Sequence, residues 1–363
     1  AILGSSIGKL VKPTEEVSTD KTDFITVEDA KSMGYIIPDN YTSYDDNRFK
    51  SATGEYAVPR LNFDNVDKLM KAAHENGVKL RGHTLVWHQQ TPKYFFQQNY
   101  KITTGQKYNT SKECMDTRLE FYVKTVMNHV LSSKYADCLY SYDVVNEYLH
   151  SANAEKDSKN ITYWGLIYGT YDKSVKDHGV TLRPSYVKDA FKYAHEMLVK
   201  YDRLDVKLIY NDYNCYQNPE NIIHLVDYIN SDGKVCDGIG MQSHLDITDS
   251  FHSATNYAKA LEYFRLNCPD LEIQITELDA TMVSTEDKPL TLTDEDQAAY
   301  YDQIMNAILT NKKNGGNITA LIIWSLYDGV SWRPAKFPCL FNGLYMPKAA
   351  FYAVIDAKKQ YWD

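Results

Sequence analysis

The pentapeptide DVVNE, residues 143–147, sets two valines between an aspartate and an amide–carboxylate pair. A β-branched centre of this kind reads as a strand, and the polar pair as its end. The pattern recurs along the chain. KLIY (207–210) runs into Asn211, Asp212, Tyr213 and Asn214, and ALIIW (320–324) runs into Ser325. Near-continuous apolar runs suit parallel strands covered on both faces. Eight candidate strands can be read: Ile2–Ser6, Phe24–Val27, Lys79–Val86, Tyr142–Asn146, Val206–Asn211, Gly238–Ser243, Glu272–Thr276 and Ala320–Leu326.

Helical spacing fills most of the intervals. Phe63, Val66, Leu69, Met70 and Ala73 predict a helix over Asn62–Asn76, stopped by Gly77. Thr110, with Glu113 three residues on, predicts a capping box that opens Lys112–Leu131. Pro184–Tyr201 begins on a proline suited to a first turn. Pro219–Asn230, Ala254–Asn267, Asp294–Lys313 and Lys348–Tyr361 complete the set, with a weaker helical signal over Gly8–Asp23. Eightfold strand–helix alternation with right-handed crossovers predicts an α/β fold, a (β/α)8 TIM barrel occupying 1–363 as a single domain. An open doubly wound sheet would carry a glycine-rich phosphate turn, and neither GxGxxG nor GxxxxGK[ST] occurs.

Composition narrows the function classes. The 363 residues are 44% hydrophobic and 24% charged, with 17 Gly and 11 Pro, which is a globular profile. A net charge of −9 opposes binding to a phosphate backbone, so nucleic acid is not an expected partner. No apolar run is long enough to predict a membrane span. The six cysteines, at 114, 138, 215, 236, 268 and 339, form no CxxC pair. They read as buried thiols, with one or two disulfides left open. Thirty tyrosines supply flat apolar faces with polar tips. Such rings suit the faces of sugars, and equally a mixture of core and rim positions.

In a barrel the chemistry gathers at the C-terminal ends of the strands. Polar residues punctuate six candidate strands there, and two of the six end in glutamate, Glu147 and Glu277. Paired carboxylates suit glycosidic cleavage: one protonates the leaving oxygen, and the other attacks the anomeric carbon or activates water. The two must then differ in environment. Asn146 could bond a sugar 2-hydroxyl, His244 could hold Glu277 charged, and Asp279 could hold His244 in place. His83, beside Trp87, reads as a sugar-binding group or as a packed histidine. His83 and His88 lack the HExxH spacing, so no metal or cofactor is expected. A serine nucleophile has no GxSxG to sit in. Two connections are long, Thr91–Thr110 and Tyr148–Arg183, and the second carries Tyr163, Trp164, Tyr168 and Tyr171, which favours a functional role.

GHTLVWH (82–88), DVVNE (143–147), NDYN (211–214), IGMQSH (239–244), ITELD (275–279) and WSLYDGVSW (324–332) closely resemble, in order, the motifs of glycoside hydrolase family 10, the endo-β-1,4-xylanases; LGSS (3–6) adds to the match. The resemblance implies a retaining mechanism, with Glu147 as general acid/base and Glu277 as nucleophile. It makes His244 and Asp279 the groups that tune the nucleophile, and puts Asn146, His83 and Gln242 around the cleaved sugar. Trp87, Gln90, Trp324 and Trp332 match the sugar platform on the non-reducing side; Tyr213 and Asn214 match positions facing the reducing side. Retention would need the carboxyls about 5–5.5 Å apart.

The implied substrate is xylan or a xylo-oligosaccharide. The chain is expected to act as a monomer outside the cell, with a cytoplasmic role on short oligosaccharides and a place in a larger modular protein left open. Other readings are a β-glucanase on the same scaffold and a silent polysaccharide-binding barrel. The chain departs from the family pattern at Thr26–Lys31, where E-N-x-x-K is usual, and over Met33–Pro59. Ser325 replaces the usual glycine, and the loop after Glu147 is longer than usual.

Overall fold

A computed structural model of the chain describes residues 9–10, 61–98, 109–151, 162–176, 178–283 and 291–361. The candidate strands Ile2–Ser6 and Phe24–Val27, and the departing segments 26–31 and 33–59, lie outside them. The chain divides into two compact units: 1–210 with 227–236, and 211–226 with 237–363.

In the first unit, β1 (Lys9–Leu10) pairs antiparallel with β2 (Leu61–Asn62). Residues 9 and 10 are thus extended where the sequence carried a weak helical signal. The helix expected from Asn62 starts two residues later, as α1 (Asp64–Glu75), because Asn62 belongs to β2. β3 (Leu80–Trp87) runs parallel to β4 (Leu139–Asn146). Between them lies α2 (Lys112–Ser132), whose cap is Ser111 rather than Thr110: its hydroxyl accepts from the Cys114 backbone N–H at 3.2 Å. The short α3 (Tyr163–Tyr168) and then α4 (Ser185–Lys200) follow, and α2 packs on α4. Pro184 is the cap of α4, one place before the expected first turn. Leu119, Val123, Val144, Val145, Phe191 and Ala194 are buried in this unit's core.

Strand β5 (Lys207–Asp212) and helix α5 (Pro219–Ile229) each run from one unit into the other. The second unit contains β6 (Gly238–Met241), β7 (His244–Asp246), α6 (Ala254–Asn267), β8 (Glu272–Thr281), α7 (Asp294–Lys313), β9 (Ile318–Ile323) and α8 (Ala349–Tyr361). β6, β7 and β9 all pair parallel with β8. The single strand expected over Gly238–Ser243 is interrupted. Ser243 turns into the left-handed region (φ 65°), and β7 resumes further along β8. The Ser243 hydroxyl holds the turn, 3.1 Å from the Met241 carbonyl and 2.8 Å from the Tyr257 hydroxyl. Parallel strands alternate with helices in both units; β3, β4, β5, β6 and β8 are buried on both faces, as the apolar runs predict, whereas in β9 Thr319 is exposed and Ala320, Leu321 and Ile323 are only half-buried.

Candidate active site

In the first unit the chemistry sits at the ends of β3 and β4. Asn146 closes β4, and Glu147 leaves it with φ 57°, a left-handed turn rare for a residue with a side chain. The turn leaves Glu147 buried beside its neighbours. The Trp87 indole N–H donates to its Oε2 at 2.9 Å, and the Asn146 amide donates to its Oε1 at 3.1 Å. Both carboxylate oxygens are therefore held by neutral donors.

Trp87 is itself fixed from behind. Its carbonyl accepts from the Trp164 indole at 3.2 Å and from the Thr91 hydroxyl at 2.6 Å. Trp164 is buried, stacked on Tyr186 with ring centroids 4.9 Å apart. Three of the aromatics in the long Tyr148–Arg183 connection pack here. Tyr163 stacks on Phe96, Tyr168 on Trp164, and Trp164 braces Trp87. His83 lies four residues before Trp87 on β3, with ring centroids 6.2 Å apart, and its Nδ1 is 2.9 Å from Asp143 Oδ2. Arg81 grips the same fully buried carboxylate with both terminal nitrogens. Neither Arg81 nor Asp143 is among the site residues expected from the sequence; the sign available was a charged residue at each of two positions inside apolar strands. Gln90 is exposed, with φ 57°, and among the described residues no hydrogen bond joins it to Glu147.

In the second unit the groups come from the ends of β5 and β6, the first residue of β7 and the middle of β8. Glu277 is buried in mid-β8. The Asn211 amide donates to its Oε1 at 2.9 Å, and His244 Nε2 lies 3.1 Å from its Oε2. Asn211 is set by the Thr276 hydroxyl, which donates to its Oδ1 at 2.7 Å. Asn211 is not among the site residues expected from the sequence. Its buried amide at the end of an apolar run was the signal. His244 Nδ1 lies 2.9 Å from Asp279 Oδ1, and Asp279 Oδ2 accepts from the Trp332 indole at 2.9 Å.

His244 is therefore an imidazole between two carboxylates. Burial alone would lower its pKa, but Asp279 and Glu277 outweigh burial and push it up to about 10. At neutral pH it is a cation bonded to the Glu277 carboxylate. The remaining predicted residues divide. Gln242 is buried, and its backbone carbonyl accepts from the Glu277 N–H at 2.9 Å. The rings of Trp332 and Trp324 lie 4.7 and 6.1 Å from the His244 ring. The Asn214 side-chain oxygen accepts from the Tyr216 hydroxyl at 2.9 Å, and Tyr213 donates its backbone N–H to Asp212 Oδ1 at 2.8 Å. All six cysteines are free thiols, and five are buried. Among the described residues no cluster of three or more His, Cys, Asp and Glu could hold a metal, and no helix is long and apolar enough to cross a membrane.

Parallel strands alternating with helices, with one buried glutamate in each unit, match the parts of a barrel glycosidase. The sequence profile of glycosyl hydrolase family 10 matches residues 5–357, and the chain belongs to that family, whose fold is the (β/α)8 barrel. It is similar to endo-1,4-beta-xylanase A of Butyrivibrio fibrisolvens, with 39% identity over 353 residues, covering 97% of this chain and 75% of that protein. It also matches the bifunctional endo-1,4-beta-xylanase XylA of Ruminococcus flavefaciens, at 34% identity over 84% of this chain but only 28% of the relative's length. Among solved structures it is similar to the CBM22-1–GH10 modules of Clostridium thermocellum xylanase 10B in complex with xylohexaose. There the TM-score is 0.67 and the identity 29%, over 82% of this chain and 56% of that one.

Proposed function

We propose that this chain is the catalytic domain of a retaining endo-1,4-β-xylanase, acting on xylan or xylo-oligosaccharides as a single domain and a monomer, outside the cell. The names of the relatives support the substrate class. The small share of the longer relative that the chain spans supports a place in a modular protein.

The observation that carries the reading is the Glu277 carboxylate, bonded at one oxygen by Asn211 and at the other by a histidine held positive. A carboxylate so held stays ionised, as a nucleophile must. Glu277 attacks the anomeric carbon while Glu147 gives its proton to the departing oxygen, and a glycosyl ester forms on Glu277. Glu147, now ionised, takes a proton from water; the water oxygen attacks the same carbon and releases Glu277. Two inversions leave the anomeric configuration unchanged. Asn146 bonds the sugar 2-hydroxyl, an interaction that strengthens in the transition state. His83 and Gln242 line the cleaved sugar, and Trp87, Gln90, Trp324 and Trp332 form the non-reducing-side platform. Tyr213 and Asn214 face the reducing side.

The test is reducing-sugar release from glucuronoxylan, arabinoxylan and β-glucan, with the product anomer followed by NMR. Rapid xylan cleavage to the β-anomer, lost in Glu277→Ala, is the expected result. Cleavage to the α-anomer ends the retaining assignment, and cleavage of β-glucan alone ends the xylanase assignment.

A further inference from the structure

The connection from β9 to α8 carries Trp324 and Trp332, but also a second aromatic pair that the mechanism does not use. Tyr327 and Tyr345 lie with ring centroids 4.3 Å apart at 48°, and the Tyr345 hydroxyl donates to that of Tyr327 at 3.2 Å. Their surroundings are exposed: Tyr345 is 68% accessible, Leu344 80% and Met346 59%. Large apolar groups gathered on one exposed loop mark a binding surface more often than a chance exposure.

The pair is built, not merely left outside. Tyr345 sits at φ 62°, a conformation that costs a tyrosine energy. The turn around it is held by Asn342, whose side-chain oxygen accepts from the backbone N–H groups of Leu344 at 2.9 Å and Met346 at 3.1 Å. Asn342 also exchanges backbone bonds with Met346 and Tyr345, at 2.9 and 3.0 Å. On the other side, the Tyr327 ring is seated against Gly329, where a Cβ would come within 2.6 Å of the ring. Neither ring has to be ordered by a ligand, so binding there loses little to conformational entropy.

We infer that Tyr327 and Tyr345 form a neutral sugar platform that takes a stretch of xylan chain outside the cleavage site. The inference rests on the xylanase reading. Strand-to-helix connections of a barrel gather on the face that carries the chemistry, and this one already bears two of the expected platform tryptophans. The patch presents ring faces and hydroxyl tips without a charge, which fits a polysaccharide and offers nothing to an anionic polymer.

The test uses the whole chain with Glu277→Ala, run through gels containing soluble glucuronoxylan, with and without Tyr345→Asn or Tyr345→Phe. Asparagine tolerates the left-handed backbone, so the first variant removes the ring without threatening the fold. Tyr345→Asn is expected to weaken retention roughly fivefold, as losing one aromatic contact would. Tyr345→Phe, which keeps the ring, should hold most of it. With Glu277 intact, both variants should cleave an aryl xylobioside at the wild-type kcat/KM. Unchanged retention in Tyr345→Asn overturns the platform and leaves the xylanase reading standing. So does an equal loss on aryl xylobioside, which would put Tyr345 in the cleavage site. A wild-type dimer that Tyr345→Asn converts to monomer, by sedimentation, gives the surface to a second copy and overturns it too. Failure of wild type to bind or cleave any xylan removes the platform and the xylanase reading together.

Discussion

His244 carries its charge because two carboxylates flank it, and that charge has a measurable pH signature. Its folded pKa, about 10, lies above the unfolded value of roughly 6.5. Between these values the native state binds a proton that the unfolded state does not. The stabilisation from the Glu277–His244–Asp279 chain is thus complete below roughly pH 6.5 and is lost as pH rises through about 10. The Tm gap between wild type and His244→Gln should be widest near pH 6 and close toward pH 10. A gap that stays flat over that range would mean His244 is not a cation in the native protein. The acid limb of kcat/KM should also move up in His244→Gln, because Glu277 loses the charge that keeps it ionised. Asn211 acts on the other oxygen. Asn211→Ala should lower kcat about tenfold to a hundredfold, since a hydrogen bond to a charged group is worth about 1.5–3 kcal/mol. Unchanged turnover would remove Asn211 from the site.

The turns at the ends of the strands carry much of the design. Gln90, Glu147, Asn214, Ser243 and Ser325 all follow strands and all have φ between 50° and 73°. Each re-aims the chain where a side chain has to leave the pleat. At Ser325 (φ 73°) the family usually has glycine, which takes this conformation without strain. Ser325→Gly should therefore stabilise the protein by about 1 kcal/mol, seen as a raised Tm; a lowered Tm would show that the hydroxyl does more than the backbone costs. Inside β6 the constraint is reversed. A Cβ on Gly240 would lie 2.3 Å from the Asn211 side-chain oxygen and 3.1 Å from Thr276. Gly240→Ala should displace Asn211 from Glu277 and lower activity as Asn211→Ala does. Full activity with normal stability would show that β6 can give way.

Across the second unit, one buried ion pair closes the long connection that carries the tryptophans. Lys348, the residue before α8, reaches Asp328 at 3.5 Å and the Phe337 carbonyl at 2.9 Å. Asp328 also accepts from the Cys339 N–H at 2.8 Å. Burial lowers the pKa of Lys348 and raises that of Asp328, so each stands against desolvation with the other's help. Lys348→Met should cost about 3–5 kcal/mol, because it strands a buried carboxylate. The double variant Asp328→Asn with Lys348→Met should recover much of that loss in denaturant melts. A single variant as stable as wild type would show that water already reaches the pair.

The apolar runs at 143–147, 207–210 and 320–324 by themselves announce parallel strands, and the spacing of Val66, Met70 and Ala73 announces a helix. These signals are local periods of burial, which a chain carries in its order alone. Helices α6 and α7 begin and end at the predicted residues for the same reason. The order of the motifs was likewise enough to name Glu147 and Glu277 as candidates. What the sequence could not contain is which group faces which. Trp87 reaches Glu147 across 60 positions, and Asn211 reaches Glu277 across 66. Arg81 and Asp143, 62 positions apart, meet only because β3 and β4 lie side by side. Nor did it show that Ser243 breaks its strand, since a left-handed turn is chosen there by the bonds of one hydroxyl to Met241 and Tyr257. Burial pattern is a property of neighbours in the chain; the direction of a hydrogen bond and the charge of His244 are properties of neighbours in space, and only the tertiary structure decides those.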